Sequence, residues 1–245
     1  MDIDYSIQYA KWNDDSDAHY AKTADWYMVL LHPVLSGTAK DAVVLDVGCG
    51  TGLLVNTLLR GGFKNVRGID LSPQQAKVAQ QRNLPCALVN ADYIYELADS
   101  APGSLDLIFL LDVLEHIPVA EHMRFVSCLS RLLKPGARLV LTVPNANSTF
   151  AMRWRYIDWT HQCAFTEHGV EFVALNQGFQ NVQFLPFEFG TPLRFPFVHQ
   201  PSFWTAILKK AVRLLRRVEA IGELGRQGFH IPLGLNLLAV CRKAE

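Results

Sequence analysis

The chain has 245 residues, of which 50% are hydrophobic and 19% charged. This balance is typical of a globular domain with a large core and excludes a disordered or fibrous chain. The 23 basic and 23 acidic residues cancel, so no overall field attracts polyanions and we predict no nucleic-acid partner. The charges are unevenly placed, because residues 1–121 hold 16 acids and 8 bases while residues 122–245 hold 7 acids and 15 bases.

The five cysteines are odd in number, widely spaced and without a C-x-x-C pair. This spacing argues against a disulfide framework or a zinc cluster. The first residues do not show the basic and then apolar pattern of a signal peptide, and no stretch approaches the roughly 18 apolar residues of a membrane span. We therefore expect a cytoplasmic protein.

Residues 1–40 are rich in aromatic side chains, and we expect them to form helices that cover the carboxyl edge of a sheet. From residue 41 onward, short apolar runs alternate with amphipathic segments of helix length, which is the α/β pattern. The patterns predict strands at 43–47, 65–69, 86–89, 105–111, 138–143, 181–187 and 235–241, and helices at 53–60, 73–82, 119–133 and 167–176. The predicted organisation is a helical cover at 1–40 and one domain at 41–245 with an inserted segment at about 188–234.

A glycine-rich loop follows the first predicted strand and precedes a helix. After Asp46, glycines stand at alternate positions, Gly48, Gly50 and Gly52, and position 53 is Leu. A dinucleotide fingerprint requires glycine at position 53, and a phosphate-binding P-loop requires Gly-Lys-Ser or Gly-Lys-Thr, so the loop matches neither. Glycines here allow the backbone to approach a ligand at the N-terminus of the helix.

Two acids follow the next two strands. Asp70 ends the second strand, where a carboxylate can accept the hydroxyls of a ribose, and Asp92 follows the third, where it can accept an adenine amino group. We expect both acids to face solvent when no ligand is bound. Acids after three successive strands match one nucleoside lying across the sheet edge.

At this point the chain resembles the class I S-adenosylmethionine-dependent methyltransferases, over about residues 40–187 and the last strand. The resemblance rests on the segments 44–52, 68–72, 90–92, 110–117 and 133–136. It implies a Rossmann-like α/β fold with a seven-stranded, mostly parallel sheet, the last strand antiparallel, and helices on both faces. It also implies S-adenosylmethionine as the cofactor.

The resemblance further implies roles for particular residues. The glycine loop would hold the methionine portion and the ribose, Asp70 the ribose hydroxyls, Asp92 with Tyr93 the adenine, and Leu111 the wall beside the sulfonium. The cofactor-binding residues predicted in this way are Asp46, Gly48, Cys49, Gly50, Gly52, Asp70, Leu71, Asp92, Tyr93 and Leu111.

Methyl transfer to a hydroxyl requires removal of a proton, and His116 lies four residues beyond Asp112 after the fourth strand. Neutral histidine suits this task near pH 7, although the same residue could instead cap the following helix. The quinone O-methyltransferases, which the chain also resembles, can hold a divalent ion with acids and histidine after this strand. The matching residues are Asp112, Glu115 and His116; since no further ligand is evident, we predict no metal site.

The segment after the fifth strand is long and rich in aromatic, basic and hydrogen-bonding side chains, as expected of a loop that lines a ligand crevice. The candidates for contact with the methyl acceptor are Asn145, Arg153, Tyr156, Asp158 and His161. Asp158 and His161 are three residues apart and could form an oriented acid–histidine base. Alternatively, His161 and Thr166 cap the helix at 167–176.

We therefore expect an O-methyltransferase, with His116, His161 and Asp158 as candidate catalytic residues. Its segment at 158–168 resembles methyltransferases associated with bacterial surface-glycan synthesis, which implies a saccharide or lipid-linked glycan as acceptor. The alternatives are a quinone-like or other small phenolic acceptor and, in another class, a non-catalytic cofactor-binding subunit. Leu53 disfavours an NAD-dependent dehydrogenase.

Between Trp204 and Arg217, the predicted insertion has the pattern of a basic amphipathic helix. The apolar positions are Trp204, Ile207, Leu208, Ala211, Leu215 and Val218, and the bases are Lys209, Lys210, Arg213, Arg216 and Arg217. Two interpretations follow. The apolar stripe packs on the domain and the bases are solvated, or the helix lies on an anionic membrane surface, which would place the protein on the inner face of the membrane.

Overall fold

The computed structural model describes residues 16–187 and 201–245, apart from the side chains of residues 201–203. Two helices precede the sheet, α1 (Asp17–Leu30) and α2 (His32–Leu35). The hydroxyl of Ser16 caps α1 by accepting a hydrogen bond from the backbone N–H of His19. Residues 1–15 of the predicted cover lie outside the described residues, and its division from the rest of the chain at residue 40 stays a prediction.

Strands and helices alternate after α2. The strands are β1 (Val43–Val47), β2 (Asn65–Asp70), β3 (Cys86–Leu88), β4 (Leu105–Leu111), β5 (Leu133–Pro144), β6 (Phe179–Leu185) and β7 (Asn236–Lys243). The helices are α3 (Leu53–Arg60), α4 (Pro73–Gln81), α5 (Tyr93–Ser100), α6 (His122–Leu132), α7 (Ala151–Tyr156), α8 (Glu167–Asn176) and α9 (Pro201–Leu224).

The strands form one sheet of seven strands in the order β3-β2-β1-β4-β5-β7-β6. β1 pairs in parallel with β2 and β4, and β7 runs antiparallel between β5 and β6. The mostly parallel sheet with an antiparallel last strand is therefore confirmed. The strand order reverses between β1 and β4, and open α/β sheets bind ligands outside the carboxyl ends of the strands at such a point.

Helices cover both faces of the sheet, as predicted, because the central strands are apolar on both sides. Alternate residues of β1 and β4 enter opposite cores. Leu45 and Ile108 pack in the core that includes residues of α5, α6 and α8, and Val44 and Leu107 pack in the core that includes residues of α2 and α3.

Most sequence-predicted elements are confirmed, and β1, β4, α3 and α8 have the predicted bounds. Two short helices, α5 and α7, were not predicted. β5 begins at Leu133 rather than at residue 138, because Leu133 pairs with Leu105 across an irregularity in the ladder. Gly136, with φ +71°, lies inside this strand.

The helix predicted in the insertion is present as α9, followed by a 3₁₀ turn at Gly225–Phe229. The expectation that its apolar stripe packs on the domain is wrong. Leu208, Leu215 and Val218 are all exposed, whereas Arg213 and Arg217 are partly buried. Within the described part of the chain, no helix combines the length and apolar character needed to cross a membrane.

Candidate active site

The loop between β1 and α3 turns on three glycines. Gly48, Gly50 and Gly52 have φ angles of +74°, +56° and +80°, in the left-handed region that glycine adopts without steric penalty. A Cβ at Gly50 would lie 2.6 Å from Oε1 of Gln75, and one at Gly48 would clash with the side chain of Val113. The alternate spacing of the glycines is therefore a requirement of the backbone at the carboxyl end of β1.

The carboxylate of Asp70 fastens this loop to the end of β2. One oxygen accepts a hydrogen bond from the backbone N–H of Gly50 at 2.8 Å, and the other accepts one from Ser72 at 2.7 Å. The expectation that this acid simply faces solvent is wrong, because the residue is partly buried. Desolvation raises the pKa of Asp70, although the amide donors oppose this effect. Each carboxylate oxygen accepts about two hydrogen bonds, so both can also accept a ligand hydroxyl.

Asp46 lies beneath the same loop in β1 and is buried. Burial, and then the charge of Asp70, raise the pKa of Asp46 to about 8. A carboxyl group with this pKa is mostly protonated at pH 7, so it can donate a hydrogen bond as well as accept one.

The other predicted cofactor residues lie along the same edge. Leu71 follows Asp70 directly and exposes its apolar side chain. Asp92 is exposed at the start of α5, and its side chain makes no capping hydrogen bond to that helix. Tyr93 begins α5 and packs partly buried on the core, and Leu111 ends β4. The edge thus presents acids and apolar groups together, as a nucleoside requires.

Cys49 was predicted to bind cofactor, but its side chain is buried under the loop. The sulfur packs in the same core as Cys86. The backbone N–H of Cys49 donates to the carbonyl of Ile69 at 3.0 Å, and its carbonyl accepts from the N–H of Gly52 at 2.9 Å. We therefore assign the Cys49 side chain to packing and its backbone to the shape of the loop.

Helix α1 brings two tyrosines to this edge that the sequence analysis did not assign. The hydroxyl of Tyr20 donates to the carbonyl of Thr51 at 2.6 Å, which joins α1 to the glycine loop. The pKa of Tyr27 is raised, first by desolvation and then by the charges of Asp112 and Asp46. The aromatic content of residues 1–40 was the available signal, but its helical phase did not assign faces.

A second polar cluster follows β4, in the 3₁₀ turn Leu114–His116. Nδ1 of His116 lies 2.7 Å from Oγ1 of Thr160, and that oxygen lies 2.6 Å from Oδ1 of Asp158. Because a carboxylate only accepts, the Thr160 hydroxyl donates to Asp158 and accepts from the Nδ1–H of His116. This arrangement leaves the lone pair of His116 on Nε2. His116 is thus bound to Thr160 and does not cap the following helix.

The predicted side-chain pair of Asp158 with His161 is not formed. Nδ1 of His161 lies 2.9 Å from the carbonyl oxygen of Trp154 and donates to it, because a carbonyl oxygen only accepts. Asp158 instead orients His116, because the Thr160 hydroxyl stands between them. His161 does not cap α8 either; Thr166 does, by accepting from the N–H of Gly169 at 3.2 Å.

Glu115, His116 and His161 offer three ligand atoms that all lie within 4.8 Å of one another. Oε2 of Glu115 is buried, with no hydrogen-bond partner in the described part of the chain, which is uncommon for a polar atom inside a protein. Histidines that hold metals usually donate their other N–H to a protein acceptor, as both do here. These residues fit a divalent cation. The prediction of no metal rested on the lack of a further ligand, and the fold supplies His161.

The protein environment keeps this cluster low in charge. Burial lowers the pKa of His116 to about 4; His161 acts in the same direction and Asp158 opposes it. Burial also raises the pKa of Glu115 well above its ordinary value, and the charge of Asp112 adds to this effect. At pH 7 the imidazole of His116 is therefore neutral, with its Nε2 lone pair available to a proton or a metal ion.

Among the other residues predicted to contact the acceptor, the prediction for Asn145 is wrong. It is fully buried, and its Nδ2 donates to the carbonyls of Pro232 and Gly234, both at 2.8 Å. Asn145 thus clamps the end of β5 to the segment before β7. Arg153 and Tyr156 lie on α7 with exposed side chains and are accessible to an acceptor.

A cavity of about 350 Å³ lies between α9 and the ends of β6 and β7. Arg213 and Arg217 line it together with apolar side chains that include Phe184. Asn236 also lines the cavity, and its Nδ2 donates to Oδ1 of Asp112 at 2.9 Å. This contact connects the cavity to the carboxyl end of β4.

The chain shares its architecture with solved methyltransferases. The chain matches an S-adenosylmethionine-dependent methyltransferase from Archaeoglobus fulgidus with a TM-score of 0.65 and 20% identity, over 90% of this chain and 94% of that one. It also matches magnesium protoporphyrin IX methyltransferase from Synechocystis with a TM-score of 0.51 and 19% identity, over 92% of this chain and 80% of that one. The fold is that of S-adenosylmethionine-dependent methyltransferases.

A family model described as a methyltransferase domain matches residues 20–184, more than half of the chain. The protein belongs to this methyltransferase family. A ubiquinone biosynthesis O-methyltransferase from Xanthomonas campestris is 40% identical over 108 residues, which cover 42% of this chain and 44% of that protein. The match therefore spans less than half of that relative's length.

The lowered pKa of His116 predicts a loss of stability in acid. An unfolded histidine titrates near pH 6.5, whereas His116 in the folded protein titrates near pH 4. Between these values the unfolded state binds a proton that the folded state does not bind. The contribution of His116 therefore lowers the free energy of unfolding as the pH falls from about 7 to about 4, by up to about 3 kcal/mol.

Denaturant unfolding at several pH values, with a chelator present, measures this contribution. We expect His116→Gln to weaken the dependence of unfolding free energy on pH in this range. His230→Gln, at an exposed histidine, is the matched control and should behave like the wild type. An unchanged pH dependence in a folded His116→Gln variant would contradict the lowered pKa.

Proposed function

We propose that the protein is an S-adenosylmethionine-dependent O-methyltransferase. One observation carries the proposal: the glycine loop, the acids after β2 and β3, and the Glu115–His116–His161 cluster meet at a single edge of the sheet. The sulfonium of the cofactor already supplies an activated methyl group, so the protein's task is to align the acceptor oxygen with it and to help remove the proton.

The cofactor-binding edge divides into three parts in this proposal. The loop at 48–52 receives the methionine portion, and the carboxylate of Asp70 accepts the ribose hydroxyls. Asp92 accepts from the adenine amino group, while the exposed side chain of Leu71 covers the adenine ring. Leu111, at the end of β4, lies beside the sulfonium and places it next to the cluster that follows.

For the acceptor we propose a small phenolic, quinone-like molecule. The ubiquinone biosynthesis O-methyltransferases among the relatives favour this class over the saccharide or lipid-linked glycan expected from the sequence. The cavity beside Asn236 combines apolar walls with two arginines, which suits a ring or apolar chain that carries polar substituents.

The pKa values of the acceptor hydroxyl and of His116 determine how readily the acceptor proton can pass to this histidine. A phenol titrates near pH 10, as the tyrosine side chain does, whereas burial lowers the pKa of His116 to about 4. Transfer of a proton across about six pKa units is uphill by roughly 8 kcal/mol, and a general base works best with a pKa near the working pH. His116 alone is therefore a weak base for a phenol.

The fit of Glu115, His116 and His161 to a divalent cation offers a way to lower the pKa of the acceptor hydroxyl itself. A cation held there would supply Lewis-acid polarisation of a bound oxygen. Asp158 acts through Thr160 as a positioning residue, since the hydrogen bond from Nδ1 selects the tautomer of neutral His116 that has its lone pair on Nε2. The carbonyl of Trp154 orients the ring of His161 through Nδ1.

Cofactor recognition predicts the effect of Asp70→Asn. The amide retains one acceptor oxygen and loses the other, and hydrogen bonds to a charged group contribute about 1.5–3 kcal/mol. We expect the affinity for S-adenosylmethionine to fall roughly ten- to hundredfold in calorimetric titrations. Asp99→Asn, at an exposed acid paired with Arg131, is the control and should bind normally. Because Asp70 also fastens the loop, thermal unfolding of each variant checks the fold; wild-type affinity in folded Asp70→Asn would refute the assignment.

The link from Asp158 to His116 predicts the effect of Thr160→Val, which removes the hydroxyl while preserving the shape of the side chain. We expect kcat for a phenolic acceptor to fall by about 10² or more, with little change in cofactor affinity. Thr160→Ser should restore turnover, because it restores the hydroxyl. The assay uses catechols and simple hexosides in parallel. Wild-type turnover in Thr160→Val would refute the link, and turnover with hexosides alone would favour the saccharide acceptor.

The cation site predicts metal binding by the protein alone. Two imidazoles and one carboxylate favour Zn²⁺ or Mn²⁺ over Mg²⁺, so calorimetry on chelator-treated protein should detect one site for the first two ions. His161→Ala should weaken this site at least tenfold, whereas His230→Ala should not. Binding of neither Zn²⁺ nor Mn²⁺, or binding that is unchanged in His161→Ala, would leave proton removal to the side chains alone.

A further inference from the structure

Helix α9 turns its apolar side away from the domain. The exposed apolar side chains recur every three or four residues along the helix, with exposed fractions between 38% and 69%: Trp204, Ile207, Leu208, Val212, Leu215 and Val218. A helix of a globular domain normally turns such a stripe toward the core. A contiguous exposed apolar surface of this kind is typical of a site that contacts another molecule or a membrane.

Polar contacts on the opposite side hold the helix in this orientation. Nη1 of Arg217 donates to the carbonyl of Gly228 at 2.7 Å, and Nη2 of Arg216 donates to the carbonyl of Asn147 at 3.4 Å. Gly228 lies so close to the backbone of Ala220 that a Cβ would have no room. The contacts of Gly228 with Arg217 and Ala220 join α9 to the turn that follows it, whereas Arg216 joins the helix to the domain. Rotation of α9 to bury the stripe would break the contact of Arg216 with Asn147 and move the two arginines that line the cavity beside β6 and β7 out of it.

The charge of the helix indicates what covers the stripe. α9 carries five bases and two acids; the bases are Lys209, Lys210, Arg213, Arg216 and Arg217, and the acids are Glu219 and Glu223. A second copy of the chain docked on the stripe would bring two such positive helices together. An anionic surface would instead complement the net charge of the helix. Arg213, Arg216 and Arg217 lie on the side that faces the domain, whereas Lys210 is exposed. Lys210 is therefore the base that would contact the headgroups of that surface.

Further exposed apolar side chains follow the point where Arg216 contacts the domain. Asn147 is succeeded by Phe150, Met152 and Trp159, all of which are exposed. A tryptophan at such a position is common at membrane interfaces, where its ring is amphipathic. The segment after β5 therefore extends the apolar character of this part of the surface.

We propose that the exposed face of α9 docks the protein on an anionic lipid bilayer. The helix lies in the plane of the interface, with the stripe among the upper acyl chains and Lys210 among the headgroups. The side chains that carry this role differ from those of the proposed catalytic site, so the proposal stands independently of the reaction. Association of this kind needs no membrane-spanning segment.

The test is sedimentation of the full chain with vesicles of phosphatidylcholine alone or with phosphatidylglycerol, at low and high salt. We expect binding to the anionic vesicles and a loss of at least tenfold in the double variant Leu208→Asp/Leu215→Asp. The matched control is Val29→Asp/Phe172→Asp, at exposed apolar residues of α1 and α8, which should bind as the wild type does. Lys210→Gln should weaken binding about fivefold and reduce its dependence on salt.

Circular dichroism shows whether each variant is folded, and light scattering without lipid gives the oligomeric state. Absence of wild-type binding to anionic vesicles at low salt would overturn the proposal. Equal binding by the folded Leu208→Asp/Leu215→Asp variant would also overturn it. A dimer that this double variant disperses, with no vesicle binding by the wild type, would assign the stripe to self-association instead.

Discussion

The left-handed backbone of Gly48, Gly50 and Gly52 is the constraint on which the ligand-binding edge depends. It turns the chain from β1 into α3 tightly enough that the N–H of Gly50 reaches the carboxylate of Asp70 on the neighbouring strand. The same turn presents the carbonyl of Thr51 to α1. With side chains at these positions, the loop would clash with its neighbours, and the contacts that join β1, β2 and α1 would be lost.

Glu115 and His116, which follow β4, share the property of low charge. Burial raises the pKa of Glu115 and lowers that of His116, because a low-dielectric site favours the neutral form of each group. A buried carboxyl oxygen with no partner among the described residues and a buried neutral His116 are costly as isolated features, but together with His161 they form a ligand set. The same environment makes His116 a weak base. In the proposed reaction, stabilisation of the ionised acceptor therefore matters more than proton abstraction by this residue.

The exposed apolar stripe of α9 and the partly buried arginines on its opposite side both follow from the way this helix packs on the domain. Arg213 and Arg217 line the cavity beside β6 and β7, so the polar side of the helix forms part of the cavity wall. The apolar side is left outward as a result. In the proposed docking, the helix would lie between this cavity and the lipid surface, which suits the proposed quinone-like acceptor.

The sequence by itself determined the α/β fold, the glycine loop and the line of acids after successive strands, because periodicity and glycine spacing are local properties and parallel strands bring their carboxyl ends to one edge. It also identified Asp158, His116 and His161 as polar groups near that edge. Only the tertiary structure decided that Asp158 orients His116 through Thr160, since that contact joins segments 44 residues apart. It likewise decided which face of α9 is exposed: amphipathic spacing defines two faces of a helix, but contacts with the rest of the chain select the one that turns inward.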